Sequence, residues 1–132
     1  LPGPLLYSWL VINVTGQQWW WEIDYPTQEG CGAGIDETIV TSGQMVIPVG
    51  TPALVRGTSR DVIHSLWIPR LAGKIDVIPG RVNTLRLQAD TPGRYQGQCA
   101  EFCGQEHTRM RFDVVVHAQA DYATALAAQA TK

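Results

Sequence analysis

Along most of this chain apolar residues recur in short stretches, and the clearest of them alternate with polar positions. In Arg111–His117, Phe112, Val114 and Val116 fall on one side and Asp113, Val115 and His117 on the other. A period of two belongs to a half-buried strand. Similar segments rich in Val, Ile and Trp stand at Leu10–Val14, Trp19–Tyr25, Met45–Val49, Ala53–Arg56, Val62–Ile68 and Val82–Leu87. Between them Gly50-Thr-Pro52, Pro69, Pro79-Gly80 and Thr91-Pro-Gly93 mark turns, and Pro48 is expected at a strand end because it cannot donate to a ladder. Many short strands separated by turns predict an all-β sandwich or barrel. Only the tail reads as helix, with Asp121 as cap of a run from Tyr122 to Ala130 and Tyr122, Ala125, Leu126 and Gln129 along one face.

A length of 132 residues with 45% hydrophobic content suits a single domain, 1–132, with a core of its own. No repeat, low-complexity linker or charge block argues for a second one. The net charge of -2 leaves no basic stripe of the kind that tracks phosphates, so no nucleic-acid partner is expected. The apolar stretch Leu5–Val14 is far shorter than the roughly 20 residues that cross a bilayer, and the chain, which lacks an initiator Met and a signal peptide, is expected to be a soluble piece of something longer. Asn13-Val-Thr15 fits a glycosylation acceptor, a triplet common by chance.

Three cysteines cannot all pair, which argues against a disulfide framework. Cys31, alone in Gly30-Cys-Gly-Ala-Gly34, reads as a loop thiol. The other two open the run Cys99-Ala-Glu-Phe-Cys-Gly-Gln-Glu-His-Thr-Arg-Met110, spaced Cys-x3-Cys-x3-His-x2-Met, in which all four residues are soft or borderline metal ligands. One competing reading is a helix face, since steps of four, four and three would align these side chains; Gly97 and Gly104 weaken it and favour a ligand loop. A Cys99–Cys103 disulfide is a second, but leaves His107 and Met110 unexplained. A structural zinc site is a third, for which Met is a poor ligand. Two thiolates, imidazole and thioether suit copper best. A mononuclear blue-copper site uses one Cys, whereas two on one loop can bridge two ions that share an unpaired electron, which keeps the reorganisation barrier small. Two ions call for a second imidazole. His117 ends an alternating strand and is expected to face solvent, so His64, within the apolar segment Asp61-Val-Ile-His-Ser-Leu-Trp-Ile-Pro69, is the better candidate, although a lone His in a strand is often only a core residue.

Three blocks, Gly16-Gln-Gln-Trp-Trp-Trp-Glu-Ile-Asp-Tyr-Pro26, Asp61 through Ile78-Pro-Gly-Arg81, and Tyr95-Gln-Gly-Gln-Cys99 through Met110, resemble subunit II of the haem–copper cytochrome c oxidases, in the part that carries the dinuclear copper centre CuA. The blocks occur in the family's order, and the last is highly specific. The resemblance implies a cupredoxin-like Greek-key β-barrel with a short C-terminal helix. It implies that Cys99 and Cys103 bridge two copper ions, that one copper adds His64 and Met110, and that the other adds His107 and the backbone carbonyl of Glu101. The Glu101 carboxylate would reach a magnesium or manganese ion at the boundary with subunit I, in the full complex only. Trp19 matches the family's surface Trp where electrons arrive from cytochrome c. Asp24, Glu29, Asp36, Glu37 and Asp61 are available as docking carboxylates for that donor, or are simply solvated. By strand alternation Trp19 and Trp21 share a face and Trp20 takes the other.

The resemblance thus implies an electron-transfer domain of an oxidoreductase complex, on the periplasmic or equivalent outer face of a respiratory membrane, passing electrons from cytochrome c to the haem of subunit I. Trp20 stands where many members have Tyr and Leu66 where an aromatic is common. The family's N-terminal transmembrane hairpin is absent from this sequence, as is the Cys-x-x-Cys-His motif of a fused cytochrome c. The nearest alternative is the CuA domain of a nitrous oxide reductase, which shares the ligand spacing; a copper carrier and a metal-free redox-sensing dithiol belong to other classes.

Overall fold

The computed structural model describes residues 10–26 and 39–129. Cys31, Glu29, Asp36, Glu37 and the expected helix end at Ala130 lie outside them. Among the described residues ten strands occur in the order β1 (Leu10–Gln17), β2 (Trp20–Tyr25), β3 (Ile39–Ser42), β4 (Gln44–Pro48), β5 (Ala53–Ser59), β6 (His64–Trp67), β7 (Lys74–Val77), β8 (Asn83–Leu87), β9 (Gly93–Cys99) and β10 (Arg111–His117), followed by helix α1 (Gln119–Gln129). They form two five-stranded sheets, β3-β2-β1-β5-β8 and β4-β10-β9-β6-β7. Pairing is antiparallel except for β1 with β5 and β4 with β10, whose parallel registers require long crossovers. The two sheets curl against each other as the expected cupredoxin-like barrel with its short terminal helix.

Alternation sets which side chains meet inside. Ile12 and Val14 of β1, Trp21, Ile23 and Tyr25 of β2, and Phe112, Val114 and Val116 of β10 are buried, as the pattern of two requires. Burying a side chain such as Ile or Phe is worth about 1.5–3 kcal/mol, and this shared core holds the sheets face to face. Tyr25 keeps its polar end satisfied, its hydroxyl oxygen accepting the Val46 N–H at 2.8 Å, while burial pushes its pKa up. Tyr122, Leu126 and Gln129 of α1 turn inward, and Ala125 is half-buried. Asn13 of the candidate glycosylation triplet is half-buried in the middle of β1, paired with Asp24.

Several expected boundaries differ. Trp19 belongs to the β1–β2 turn, and Val62 and Ile63 precede β6 as an irregular bend. The helix begins at Gln119, so Asp121 stands in its first turn instead of capping it. The glycine-flanked segment expected as loop between Leu87 and Arg111 is, in its first half, strand β9. Its polar sequence concealed it, yet Gly97 is needed there: a Cβ at that position would lie 2.2 Å from Phe112 Cζ on the neighbouring strand. β3 and β7, four residues each, are too short to show a pattern.

Candidate metal centre

His64 opens β6 with its side chain completely buried. The bend before it is tied by polar groups: the Asp61 N–H donates to Ser59 Oγ at 3.2 Å, the Ser59 hydroxyl to the Val62 carbonyl, and the Val62 N–H to Asp61 Oδ1 at 2.6 Å. Asp61 Oδ1 also lies 2.9 Å from His64 Nε2. An ionised carboxylate there fixes the proton on Nε2 and leaves the Nδ1 lone pair free to face a metal. Burial alone would raise the Asp61 pKa, but the Gln18 and Val62 N–H groups and His64 outweigh it and hold the carboxyl below its usual range. Burial would likewise lower the His64 pKa, and the neighbouring Cys99 and Asp61 raise it instead.

The other donors come from the β9–β10 connection. Cys99 ends β9, held by its N–H to the Met110 carbonyl at 3.0 Å, and the next residue's N–H donates to the Ser65 carbonyl at 2.9 Å. The chain then loops through Cys103 into a single 3-10 turn, His107–Arg109, and reaches Met110. No α-helix spans these residues, so the helix-face reading is wrong. Both thiols are free, with Cys99 Sγ 3.7 Å from Cys103 Sγ. Around the pair, His64 Nδ1 lies 3.8 Å from Cys99 Sγ, His107 Nδ1 3.6 Å and Met110 Sδ 3.8 Å from Cys103 Sγ, and the Glu101 carbonyl oxygen 3.1 Å from Cys99 Sγ. All six residues expected as ligands are therefore gathered at one end of the barrel. His64, Cys99 and Cys103 alone bring three ligand atoms within 4.8 Å of one another. His117 ends β10 about 20 Å along the strand from Arg111, at the rise of a strand, and takes no part.

The two thiols behave differently. Burial opposes ionisation of both; at Cys99 the His64 ring, the Ser65 and Glu101 backbone and Cys103 together outweigh it and hold the thiol below its usual range, while at Cys103 the neighbouring Cys99 adds to the burial and pushes the thiol up. The Cys99 proton leaves more easily than that of Cys103, and both must leave if the sulfurs are to hold a metal. Soft sulfur with imidazole matches copper. A cavity of about 130 Å³, lined by Gln98, Cys99, His107, Thr108 and Arg111, opens onto Cys99 and His107.

The aromatic block packs around this centre. Trp21 is buried, its ring 6.0 Å from that of His64 and 5.7 Å from that of Phe112, and its Nε1–H donates to the Met110 carbonyl at 3.2 Å. Trp20 points outward, 42% exposed. Trp19 is half-buried, with its Nε1–H on the Cys103 carbonyl at 3.1 Å. Asp61, expected as a docking group, has both oxygens engaged within the site, and Asp24 is half-buried on β2. No local pattern singles out Gln18, which donates to the same Cys103 carbonyl, or Gly16, where a Cβ would lie 2.9 Å from His64 Cδ2. The glycine that opens the Trp-rich block was the only available signal for the second.

Residues 10–118 match the family of the cytochrome c oxidase subunit II periplasmic domain. The chain belongs to that family. This subunit II domain is 42% identical over 84% of its length to cytochrome c oxidase subunit 2 of Alkalihalophilus pseudofirmus, and 39% identical over 92% to that of Synechocystis. It spans about a third of those relatives, 30% of the first and 33% of the second. Its fold superposes on the crystal structure of the periplasmic domain of subunit II of cytochrome oxidase (CoxB) from Bradyrhizobium japonicum with a TM-score of 0.78, at 31% identity, covering 91% of this chain and 92% of that one. A second crystal structure, of a mixed disulfide between a thioredoxin-like protein and subunit II of a cytochrome c oxidase, aligns with a TM-score of 0.74 at 31% identity over 90% of both chains. Among the described residues no helix is long and apolar enough to cross a membrane. Family membership sets aside the nitrous oxide reductase and copper-carrier readings.

Proposed function

We propose that the domain is the electron-accepting part of a haem–copper cytochrome c oxidase and holds a dinuclear CuA centre. The observation that carries this reading is the pairing of donors: two sulfurs at 3.7 Å, with an imidazole nitrogen beside each and a further donor, the Glu101 carbonyl or Met110 Sδ, on each. When bound, copper would supply a one-electron redox centre here. Cys99 and Cys103 would hold the copper between them, with His64 and Met110 as further donors on one side and His107 and the Glu101 carbonyl on the other. Asp61 orients His64, Trp21 seals that imidazole from water, and the paired strands β6 and β9 keep the donors from moving as charge changes.

Trp19, hydrogen-bonded to the carbonyl of a bridging cysteine, is the point where electrons arrive from cytochrome c. His107, half-buried and open to the cavity, faces the acceptor, subunit I. Asp24, Glu29, Asp36 and Glu37 remain the carboxylates offered to a basic donor, with Asp61 now a shared structural group. The exposed Glu101 side chain is free to reach a magnesium or manganese ion at the subunit I boundary. The whole operates on the periplasmic face of a respiratory membrane. By analogy with the mixed disulfide formed by the relative, a thioredoxin-like protein is a reductant for the cysteine pair before copper is loaded.

Reconstitution of the reduced protein with copper, metal counting and electron paramagnetic resonance test the reading. Two coppers with hyperfine splitting from both nuclei are expected. One mononuclear signal, or no retained copper, would refute it.

A further inference from the structure

The β1–β2 turn grips the site at two separate places through one residue. The Gln18 backbone N–H donates to Asp61 Oδ2 at 2.7 Å, and the other oxygen of that carboxylate holds His64. The Gln18 side-chain amide donates to the Cys103 carbonyl at 2.9 Å, joined there by Trp19 Nε1–H at 3.1 Å. Gln18 thus joins segments 43 and 85 positions away, the first bearing one imidazole and the second a bridging thiol. Gly104, at φ +125°, keeps the space beneath the turn clear. A Cβ there would meet Trp19 Nε1 at 2.9 Å and Gln18 Nε2 at 3.1 Å.

The two cysteines are anchored unequally. Cys99 is the last residue of β9, aligned with Leu66 of β6 and bonded to Met110 ahead of β10, so its backbone is fixed from both sides. Cys103 lies outside any strand, and its carbonyl is held by the turn. Closing a disulfide brings two sulfurs from 3.7 Å to about 2.05 Å. Since Cys99 is fixed, Cys103 is the residue that shifts, and its carbonyl is drawn away from the donors of Gln18 and Trp19.

We infer that Gln18 is a positioning residue of the centre: its side-chain amide holds the Cys103 carbonyl so that the cysteine pair stays open as two reduced sulfurs at bridging distance instead of closing to a disulfide. The inference rests on Cys99 and Cys103 as the bridging ligands. The equilibrium concerned is protein disulfide plus a reduced dithiol reagent giving protein dithiol plus the oxidised reagent. Two electrons and two protons pass from the reagent to the two sulfurs, one S–S bond breaking in the protein and one forming in the reagent. A hydrogen bond made only in the open state favours that state. For a neutral amide-to-carbonyl bond the bias is about fivefold in the equilibrium constant, or about 20 mV for a two-electron couple.

The test equilibrates the metal-free protein in dithiothreitol redox buffers at one fixed pH and reads the disulfide fraction by thiol alkylation and mass spectrometry. Gln18→Ala is expected to shift the equilibrium about fivefold toward disulfide. Gln18→Glu, which keeps the bulk of the side chain but turns an oxygen on the carbonyl, is expected to shift it at least as far. Both variants within twofold of the parent would overturn the inference. So would a shift in Gln18→Ala with none in Gln18→Glu, because filling space would then be the whole role. Gln18 is exposed, so the reduced variants are expected to melt with the parent. Copper counting on the parent is a separate measurement: a parent that retains none sinks the metal assignment and leaves the thiol equilibrium to decide the role of Gln18.

Discussion

Substituting Gly97 by Ala tests how the barrel core supports the metal centre. The new methyl would lie 2.2 Å from Phe112 Cζ, 2.3 Å from Cε1 and 2.8 Å from Cε2, with comfortable contact only at about 3.5 Å or more. The ring must withdraw by roughly 1.3 Å at its tip. It cannot do so freely, because Phe112 is 2% exposed and packed at a tilt, 5.7 Å between ring centres, against Trp21, which itself lies against His64. Overpacking of this kind costs about 1–3 kcal/mol. For a chain of this size each kcal/mol lowers Tm by about 4 °C, so thermal unfolding of the metal-free protein is expected about 4–12 °C below the parent. Phe112→Leu removes the atoms that clash, and in that background the further cost of Gly97→Ala should fall below about 1 kcal/mol, a coupling visible in a double-mutant cycle. Strictly additive penalties, or an unchanged Tm in the single variant, would show that Gly97 is not there to admit the ring.

Cys99→Ser and Cys103→Ser should each remove the two-nucleus hyperfine pattern and lower the copper count below two, whereas Cys31→Ser should leave both intact; bleaching by the last would contradict the ligand assignment. Asp61→Asn loosens the His64 ring and should weaken copper retention by about 10–100-fold in competition with a chelator. Trp19→Phe keeps an aromatic ring but loses the donor to Cys103, so stopped-flow electron uptake from reduced cytochrome c should slow with copper content unchanged. Tyr25→Phe should cost about 1 kcal/mol in urea unfolding at pH 7 for its lost hydrogen bond. Burial raises the Tyr25 pKa in the fold, so the parent's advantage is fully present below the unfolded value near 10 and shrinks as pH rises above it, while the Phe variant has no such loss.

The sequence alone determined the class of fold and singled out four candidate ligands in one run, for reasons that are local. Burying one side of a strand imposes a period of two, and Arg111–His117 shows it, with Phe112, Val114 and Val116 buried and the residues between them at least partly exposed. The run from Cys99 to Met110 is legible because metal chemistry admits few residue types, and four of them crowd into twelve positions. His64 needed more: nothing in its own segment separates a ligand from a core histidine. Tertiary structure supplied the geometry, by laying β6 beside β9 so that His64 and Cys99, 35 positions apart, meet at 3.8 Å. It also decided what Asp61 does, since a carboxylate reads the same in sequence whether it faces a partner or a buried imidazole. Strand β9 was hidden because its sequence is polar and its Gly97 answers to a neighbour, Phe112, that only the folded sheet supplies. Gln18 was hidden for the same reason: its hydrogen bonds go to backbone and carboxylate groups far along the chain, and no local pattern records a donor whose acceptors arrive only when the barrel closes.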